Sequence, residues 1–441
     1  MHREKNVARQ PSWTGVKRLG AIALLIASLT AGGAVCAQPS ATSPTVETSR
    51  TSGVGATPLI VFGQVFDSLV TSAADLTGHV GFVWGDNKNF GTAVGVVLGQ
   101  YSAGYRATPL HTTKWFYNHH PDWIVYLNDR HTVAYEFGNT QATPLDISNP
   151  AVVAWKQTDI TAGFHGQAWV DLDNIDSENG AKFAGHYVGA KAPCAAFAQP
   201  SCGGVWHQDY TGGPLDPVWI GVDLAYVTAM RVYFNAHGRS VMINNSENSN
   251  PAYLRPIDQI ALARAANGSL SEGFPMDACA TSHGWINGRP TDTQFDAEYQ
   301  EYIAESVSPF FAIGYLCNHS LSHVTPDEEA WATAAFLIGM QNPKLNYLAV
   351  VGSGKGLTDY ETIEPYPASI NPPVGPISEP PPSVGSRPYV RNFSHGMAAL
   401  NPSSTATATI TVPAGKDQFG TPVPAGSRVL QPMTGLVIVT P

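Results

Sequence analysis

The chain has 441 residues and a formal net charge of −10, with 43% hydrophobic and only 13% charged residues. So few charges on so apolar a chain exclude intrinsic disorder and a long coiled coil, and the acidic balance speaks against a nucleic-acid partner. With 42 glycines, 34 prolines and 10 tryptophans, it reads as an aromatic-rich, loop-rich globular protein, large enough for one big domain and a small one.

Residues 1–18 carry Arg3, Lys5, Arg9, Lys17 and Arg18 against a single acid, Glu4. An apolar run, Leu19 to Val35, and the small residues around Ala37 follow. This is the pattern of a secretory signal peptide over residues 1–37, and it predicts a secreted or periplasmic protein with no membrane span once the signal is removed. Removal takes away five basic residues and one acidic one, moving the net charge from −10 to −14. Four cysteines would remain: Cys194, Cys202, Cys279 and Cys317. An even count in an exported chain predicts disulfides, and the expected pairs are Cys194–Cys202 and Cys279–Cys317. No C-x2-C pair suggests zinc.

Residues 38–57 are rich in Ser, Thr, Pro and Gly and read as a flexible lead-in. Residues 58–364 alternate strand-like and helix-like runs. Strands are expected at 79–84, 122–127, 167–172, 240–244, 310–316 and 346–351. Helices are expected at 218–237, at 295–307, and from a capping box at 325–328 to about 341. Such alternation predicts an α/β fold, a (β/α)8 TIM barrel with a parallel sheet inside a ring of helices. An open doubly wound sheet would show a Gly-rich phosphate turn after an early strand. The nearest candidate, Gly352 to Gly356, follows the last strand instead. Residues 365–388 hold nine prolines and form a semi-rigid connector. Residues 389–441 read as a small C-terminal antiparallel β domain packed on the barrel.

A TIM barrel gathers its chemistry at the C-terminal ends of its strands. Asp171 and Asp173 share a strand face there, because side chains alternate with period two. Glu272 is a lone acid followed by Phe274 and Pro275, and an apolar surround raises a glutamate's pKa toward that of a general acid. Two carboxyls flanking one bond are what glycoside hydrolysis requires: an acid for the leaving oxygen and a nucleophile or base. Sugar rings pack on aromatic faces, so Trp84, Trp123 and Trp169 are candidate substrate platforms. Asp86, Asp129, Arg130, Asn174 and Asn244 are candidate partners for sugar hydroxyls. Tyr101 and Tyr105 are expected in a covering loop.

Several stretches resemble the glycoside-hydrolase-like TIM barrels related to endo-α-1,4-polygalactosaminidase. They are Asn118 to Tyr126, Pro144 to Pro150, Asp173-Asn174-Ile175, Gly268 to Phe274, Tyr389 to Gly396 and Asn401-Pro402. The resemblance implies an eight-stranded barrel with a C-terminal β module. It also implies an aspartate after the fourth strand as nucleophile or base and a glutamate after the sixth as acid/base. Two aspartates precede Asn174, so Asp171 and Asp173 both stand as the partner of Glu272. The expected activity is hydrolysis of a polysaccharide, an aminosugar polymer among the candidates, by a monomer without cofactor or metal. The alternatives are a non-catalytic carbohydrate-binding barrel and a metal-dependent polysaccharide deacetylase. The latter is suggested by His319 and His323, with His119 and His120 upstream.

Overall fold

The computed structural model describes residues 81–85, 95–107, 111–136, 140, 142–194, 200–245, 256–272, 274–275, 280–281, 284–285, 292–315, 326–342, 345–351 and 388–441. In chain order, the first elements are β1 (Phe82–Val83), β2 (Val97–Ala103), α1 (Thr113–His119), α2 (Pro150–Ala162) and β3 (Trp169–Asp173). A hairpin of β4 (Gly185–Val188) and β5 (Val205–Gln208) leads to α3 (Trp219–Ala236), β6 (Ser240–Asn244), α4 (Pro256–Ala265) and β7 (Gly268–Glu272). A minor hairpin, β8 (Ala280–Thr281) and β9 (Gly284–Trp285), precedes α5 (Asp292–Glu305), β10 (Phe310–Tyr315), α6 (Pro326–Gly339) and β11 (Asn346–Val351).

Seven strands form one sheet in the order β1-β2-β3-β6-β7-β10-β11, and every neighbouring pair is parallel. The order never reverses, so there is no switch point of the doubly wound kind. The sheet curls on itself. The Phe82 ring on β1 lies 5.6 Å from Phe311 on β10 and 5.6 Å from Tyr347 on β11, the opposite end of the sheet. It also meets Trp169 of β3 at 6.1 Å. These four rings fill the interior, and the result is a TIM-barrel-like, nearly closed parallel barrel.

The two faces of each strand are set by period two. Val170, Leu172, Val241 and Ile243 pack outward against Tyr226, Met230 and Phe234 of α3. The alternate positions, Trp169, Asp171 and Asp173 on β3 and Met242 and Asn244 on β6, share the inner parity. Register carries that parity through Gly268, Leu270 and Glu272.

One expected barrel strand is not in the sheet. Residues 122–127 follow Pro121, which opens a single 3-10 turn, Pro121–Trp123. Ile124 and Tyr126 then make isolated antiparallel bridges to Leu145, Val133 and Gly185. Every side chain from Trp123 to Tyr126 is buried, so the run is apolar on both sides, as a buried barrel strand would be. That is why its sequence reads as one. Of the eight strands expected, seven are paired among the described residues.

The C-terminal strands are β12 (Tyr389–Phe393), β13 (Gly396–Asn401), β14 (Ala408–Val412), β15 (Gly415–Asp417), β16 (Pro422–Val423), β17 (Gly426–Leu430) and β18 (Thr434–Val439). They form an antiparallel five-stranded sheet, β12-β13-β18-β15-β16, and a β14-β17 ribbon. One face closes a small core of Met397, Ile410, Val412, Leu430 and Ile438. The other packs Ala398, Leu400 and Val437 into the cluster that holds Trp331, Ala334, Ala335 and Ile338 of α6. The fit is close: a Cβ on Gly435 would lie 2.3 Å from the Ala330 carbonyl oxygen. Buried Arg391 donates to the carbonyls of Leu337, Ile338 and Met340 at the C-terminus of α6, where a cation also suits the helix dipole. Cys194 and Cys202 form a disulfide; Cys279 and Cys317 lie outside the described residues.

Candidate active site

Asp171 and Asp173 both reach the barrel interior from β3, but their surroundings differ. Asp171 is fully buried, and its Oδ2 accepts the Gly85 backbone N–H at 2.8 Å. Its carboxylate fills the space over Gly99, where a Cβ would come within 2.0 Å of it. A glycine on β2 is therefore what makes room for the acid. Asp173, one layer higher, keeps 16% of its side chain exposed. Its Oδ2 accepts the Tyr101 hydroxyl at 2.7 Å and its Oδ1 accepts Asn244 Nδ2 at 2.8 Å. The Arg106 guanidinium stands 3.9 Å away. Asp173 is thus oriented by donors from two other strands and by a cation, while staying open to solvent.

The next residue, Asn174, has φ +58°, a conformation that asparagine adopts more readily than other non-glycine residues. The turn brings its Oδ1 to 2.6 Å from Arg106 Nη2. Arg106 Nε also pairs with Glu136 Oε2 at 2.6 Å, with both side chains 8% exposed. Burial pushes the Glu136 carboxyl up to about 7, against the pull of Arg106.

A second layer holds the loop after β2. Lys156 of α2 donates to the carbonyls of Ala103 and Arg106 at 2.8 and 2.7 Å. Burial pushes this amine down to about 7. Tyr226 of α3 donates to the Gly104 carbonyl at 2.8 Å. Tyr105 donates to Asp223 at 2.8 Å and accepts the Asp176 N–H at 2.9 Å. Burial raises both carboxyls well above the usual carboxylate range. Tyr101 is therefore part of β2 beside Asp173, and Tyr105 is a buried scaffold residue; neither belongs to a covering loop.

Glu272 ends β7, its backbone in register with Ile313 of β10 and its parity that of Leu270 and Asn244. Trp84 and Trp123 are 3% and 7% exposed, so both are core residues rather than open platforms. Trp123 spends its face on His120, with ring centroids 3.8 Å apart. Trp169 belongs to the aromatic plug of the barrel. Asp129 is occupied by its own turn, accepting from His131 N, Thr132 N and the Thr132 hydroxyl. Arg130 lies over the Trp206 ring at 5.5 Å. Neither Asp129 nor Arg130 contacts Asp171 or Asp173 among the described residues. His119 stacks on Trp115 and bonds its carbonyl. Asp86, His319 and His323 lie outside the described residues.

No protein-family model and no curated protein matches the chain. Among solved structures, it is similar to a family GH13_31 enzyme, with TM-score 0.44 and 10% identity over 87% of this chain and 99% of that one. It is similar to an α-amylase from Malbranchea cinnamomea, with TM-score 0.39 and 12% identity over 79% and 75%. A third is a GH31 dextranase of Flavobacterium johnsoniae complexed with isomaltotriose, with TM-score 0.36 and 12% identity over 78% and 43%. These are distant similarities to glycoside hydrolases, at the level of the fold. No helix among the described residues is long and apolar enough to cross a membrane.

Arg106 and Glu136 were not singled out by the sequence reading. A signal existed, since basic residues are scarce in this chain, but the strand end that Arg106 follows, that of β2, was not among the expected strands.

Proposed function

We propose that the protein is an exported glycoside hydrolase that cleaves a polysaccharide with two carboxyl groups, Asp173 and Glu272. The observation that carries this reading is the setting of Asp173. It is a solvent-accessible carboxylate at the C-terminal end of a barrel strand, oriented by Tyr101, Asn244 and Arg106, and it shares strand parity with Glu272. Asp173 serves as nucleophile or base and Glu272 protonates the leaving oxygen. Asp171, spent on the Gly85 amide, supports the strand end rather than the reaction. The resemblance to the polygalactosaminidase-related barrels points to Glu272 and to one of Asp171 and Asp173, and the setting of Asp173 favours it over Asp171. Glu136 and Asp173 share one permanent cation, Arg106, and this balance favours a cationic aminosugar polymer.

The test is a digestion screen on partly deacetylated galactosaminan, chitosan and neutral glucans. Wild type should release product, whereas Asp173→Asn and Glu272→Gln should release none while keeping the wild-type circular dichroism. Asp171→Asn should lower the melting temperature and retain measurable cleavage. Full activity of either Asp173→Asn or Glu272→Gln overturns the assignment.

A further inference from the structure

A second cluster of ligand-type side chains lies away from the two carboxyls, on the β4–β5 hairpin. His186 and His207 are cross-strand partners, so their side chains leave the same face of the ribbon. Both turn the same ring atom to one carboxylate: His186 Nδ1 is 2.7 Å from Asp209 Oδ2, and His207 Nδ1 is 2.8 Å from Asp209 Oδ1. The ligand atoms of the three residues lie within 4.8 Å of one another. Asp146 Oδ2 approaches His186 Nδ1 from a different part of the chain, at 3.7 Å.

Charge makes the arrangement unusual. Asp209 and Asp146 keep side-chain exposures of 10% and 3%. Among the described residues neither forms an ion pair with a lysine or arginine. Asp209 thus faces the two imidazoles with both oxygens, while Asp146 turns Oδ1 to the Ser148 amide and hydroxyl and only Oδ2 toward His186. The frame is rigid. The Asp209 N–H is fixed on the Ala184 carbonyl at 2.9 Å, Tyr187 and Trp206 pack edge to face across the same hairpin, and the Cys194–Cys202 disulfide closes the connection between its strands. His207 is 62% exposed, which leaves an open side for entry and for a water.

We propose that His186, His207 and Asp209 form a binding site for a zinc-class divalent cation. Two imidazole nitrogens and one carboxylate suit Zn2+ or Co2+, whereas Mg2+ and Ca2+ prefer all-oxygen sets. Metal bonds of about 2.0–2.2 Å place tetrahedral donors roughly 3.3 Å apart. The two imidazole–carboxylate contacts must open by about half an ångström and the two imidazole nitrogens settle at the same spacing from within 4.8 Å, adjustments that side-chain torsions supply. Asp146 stays outside the three ligands and adds the negative charge that balances the cation. The bound ion would tie β4 to the chain leaving β5, bracing the connection between β3 and α3. It takes no part in the two-carboxyl chemistry and does not rest on that reading.

The test uses the full-length protein, stripped with a chelator and dialysed. Titration with ZnCl2 should give one site per chain and a raised melting temperature, and CoCl2 should give the intense visible bands of a tetrahedral centre. His207→Gln and Asp209→Asn should each weaken binding at least tenfold and abolish the thermal shift. Asp129→Asn, an exposed acid outside the cluster, should leave both unchanged, as should the pair His319→Gln/His323→Gln. Zinc binding weaker than millimolar in the wild type overturns the proposal. So does a site that survives His207→Gln and Asp209→Asn, or one lost with His319 and His323.

Discussion

The Arg106–Glu136 pair makes a quantitative prediction. Its charged atoms are 2.6 Å apart with 8% of each side chain exposed, and burial outweighs the attraction, so the glutamate titrates near 7 rather than 4.5. Below about pH 4.5 Glu136 is protonated folded or unfolded. Between there and about 7 the folded state keeps a proton that the unfolded state has released. Stability from this group is therefore fully present at low pH and is lost as pH rises through 7. At 1.36 kcal/mol per unit, the loss amounts to about 3 kcal/mol. Glu136→Gln removes that slope. Arg106→Gln removes the cation that holds the Glu136 carboxyl down, so at pH 8 folding must either bury a bare carboxylate or take up a proton that the unfolded chain has released, and the change should cost about 3–5 kcal/mol. The double variant should recover all but about 1–2 kcal/mol of it. The assay is urea unfolding followed by tryptophan fluorescence at pH 5 and pH 8, arranged as a double-mutant cycle. A coupling energy under about 1 kcal/mol would refute the reasoning. An unchanged difference between the two pH values in Glu136→Gln would refute it equally.

Three further outcomes follow from the packing. Lys156→Met leaves the carbonyls of Ala103 and Arg106 without their donor and should destabilise by about 2–4 kcal/mol in urea melts. It should also remove a gain in stability between pH 7 and about 10, a window in which the unfolded chain holds a proton that the folded amine has shed. Cys194→Ser/Cys202→Ser opens a loop of sequence separation 8. Chain entropy sets the loss at about 2.5 kcal/mol, read by comparing melts with and without reductant; a wild type insensitive to reductant would contradict it. Gly435→Val drives a side chain into the Ala330 carbonyl and should lower stability by more than about 2 kcal/mol. It should also speed proteolysis near the C-terminus, and an unaltered cleavage pattern would count against the docking described above.

Much of the barrel could be read from residues alone because its signals are local. Residues 240–244 and 346–351 are short β-branched or apolar runs between turn residues, and β6 and β11 have those bounds. Trp219, Tyr226, Met230 and Phe234 mark α3 at helical spacing, and all are buried. Helix α2 was missed because its buried stripe is Val152, Lys156 and Ile160. A lysine sits where periodicity calls for an apolar residue, and only the carbonyls it meets explain its burial. Asp171, Asp173 and Glu272 stood out because charged residues are scarce in this chain, so an acid that ends a strand is conspicuous. Their partners were not legible, since Tyr101, Arg106, Glu136 and Asn244 come from distant parts of the chain. The distinction between Asp171 and Asp173 depends on Gly85 and Gly99, a matter of space that no motif expresses. The tryptophans misled for a related reason: an aromatic residue at a strand end packs inward as readily as it faces a ligand.

The docking of the last strands on α6 bears on the order of assembly. Trp331, Ala334, Ala335 and Ile338 share their cluster with Ala398, Leu400 and Val437, and their cover is complete when residues 398–400 and 434–439 arrive. Those residues come well after α6 in the chain. Until then α6 keeps an apolar strip only partly covered, by Phe295 of α5, and a chain cut short before Thr434 keeps it so. The barrel and the C-terminal sheet should therefore fold as one cooperative step rather than as two independent ones, and late truncation should send the protein toward aggregation or a holdase chaperone rather than toward a stable free barrel.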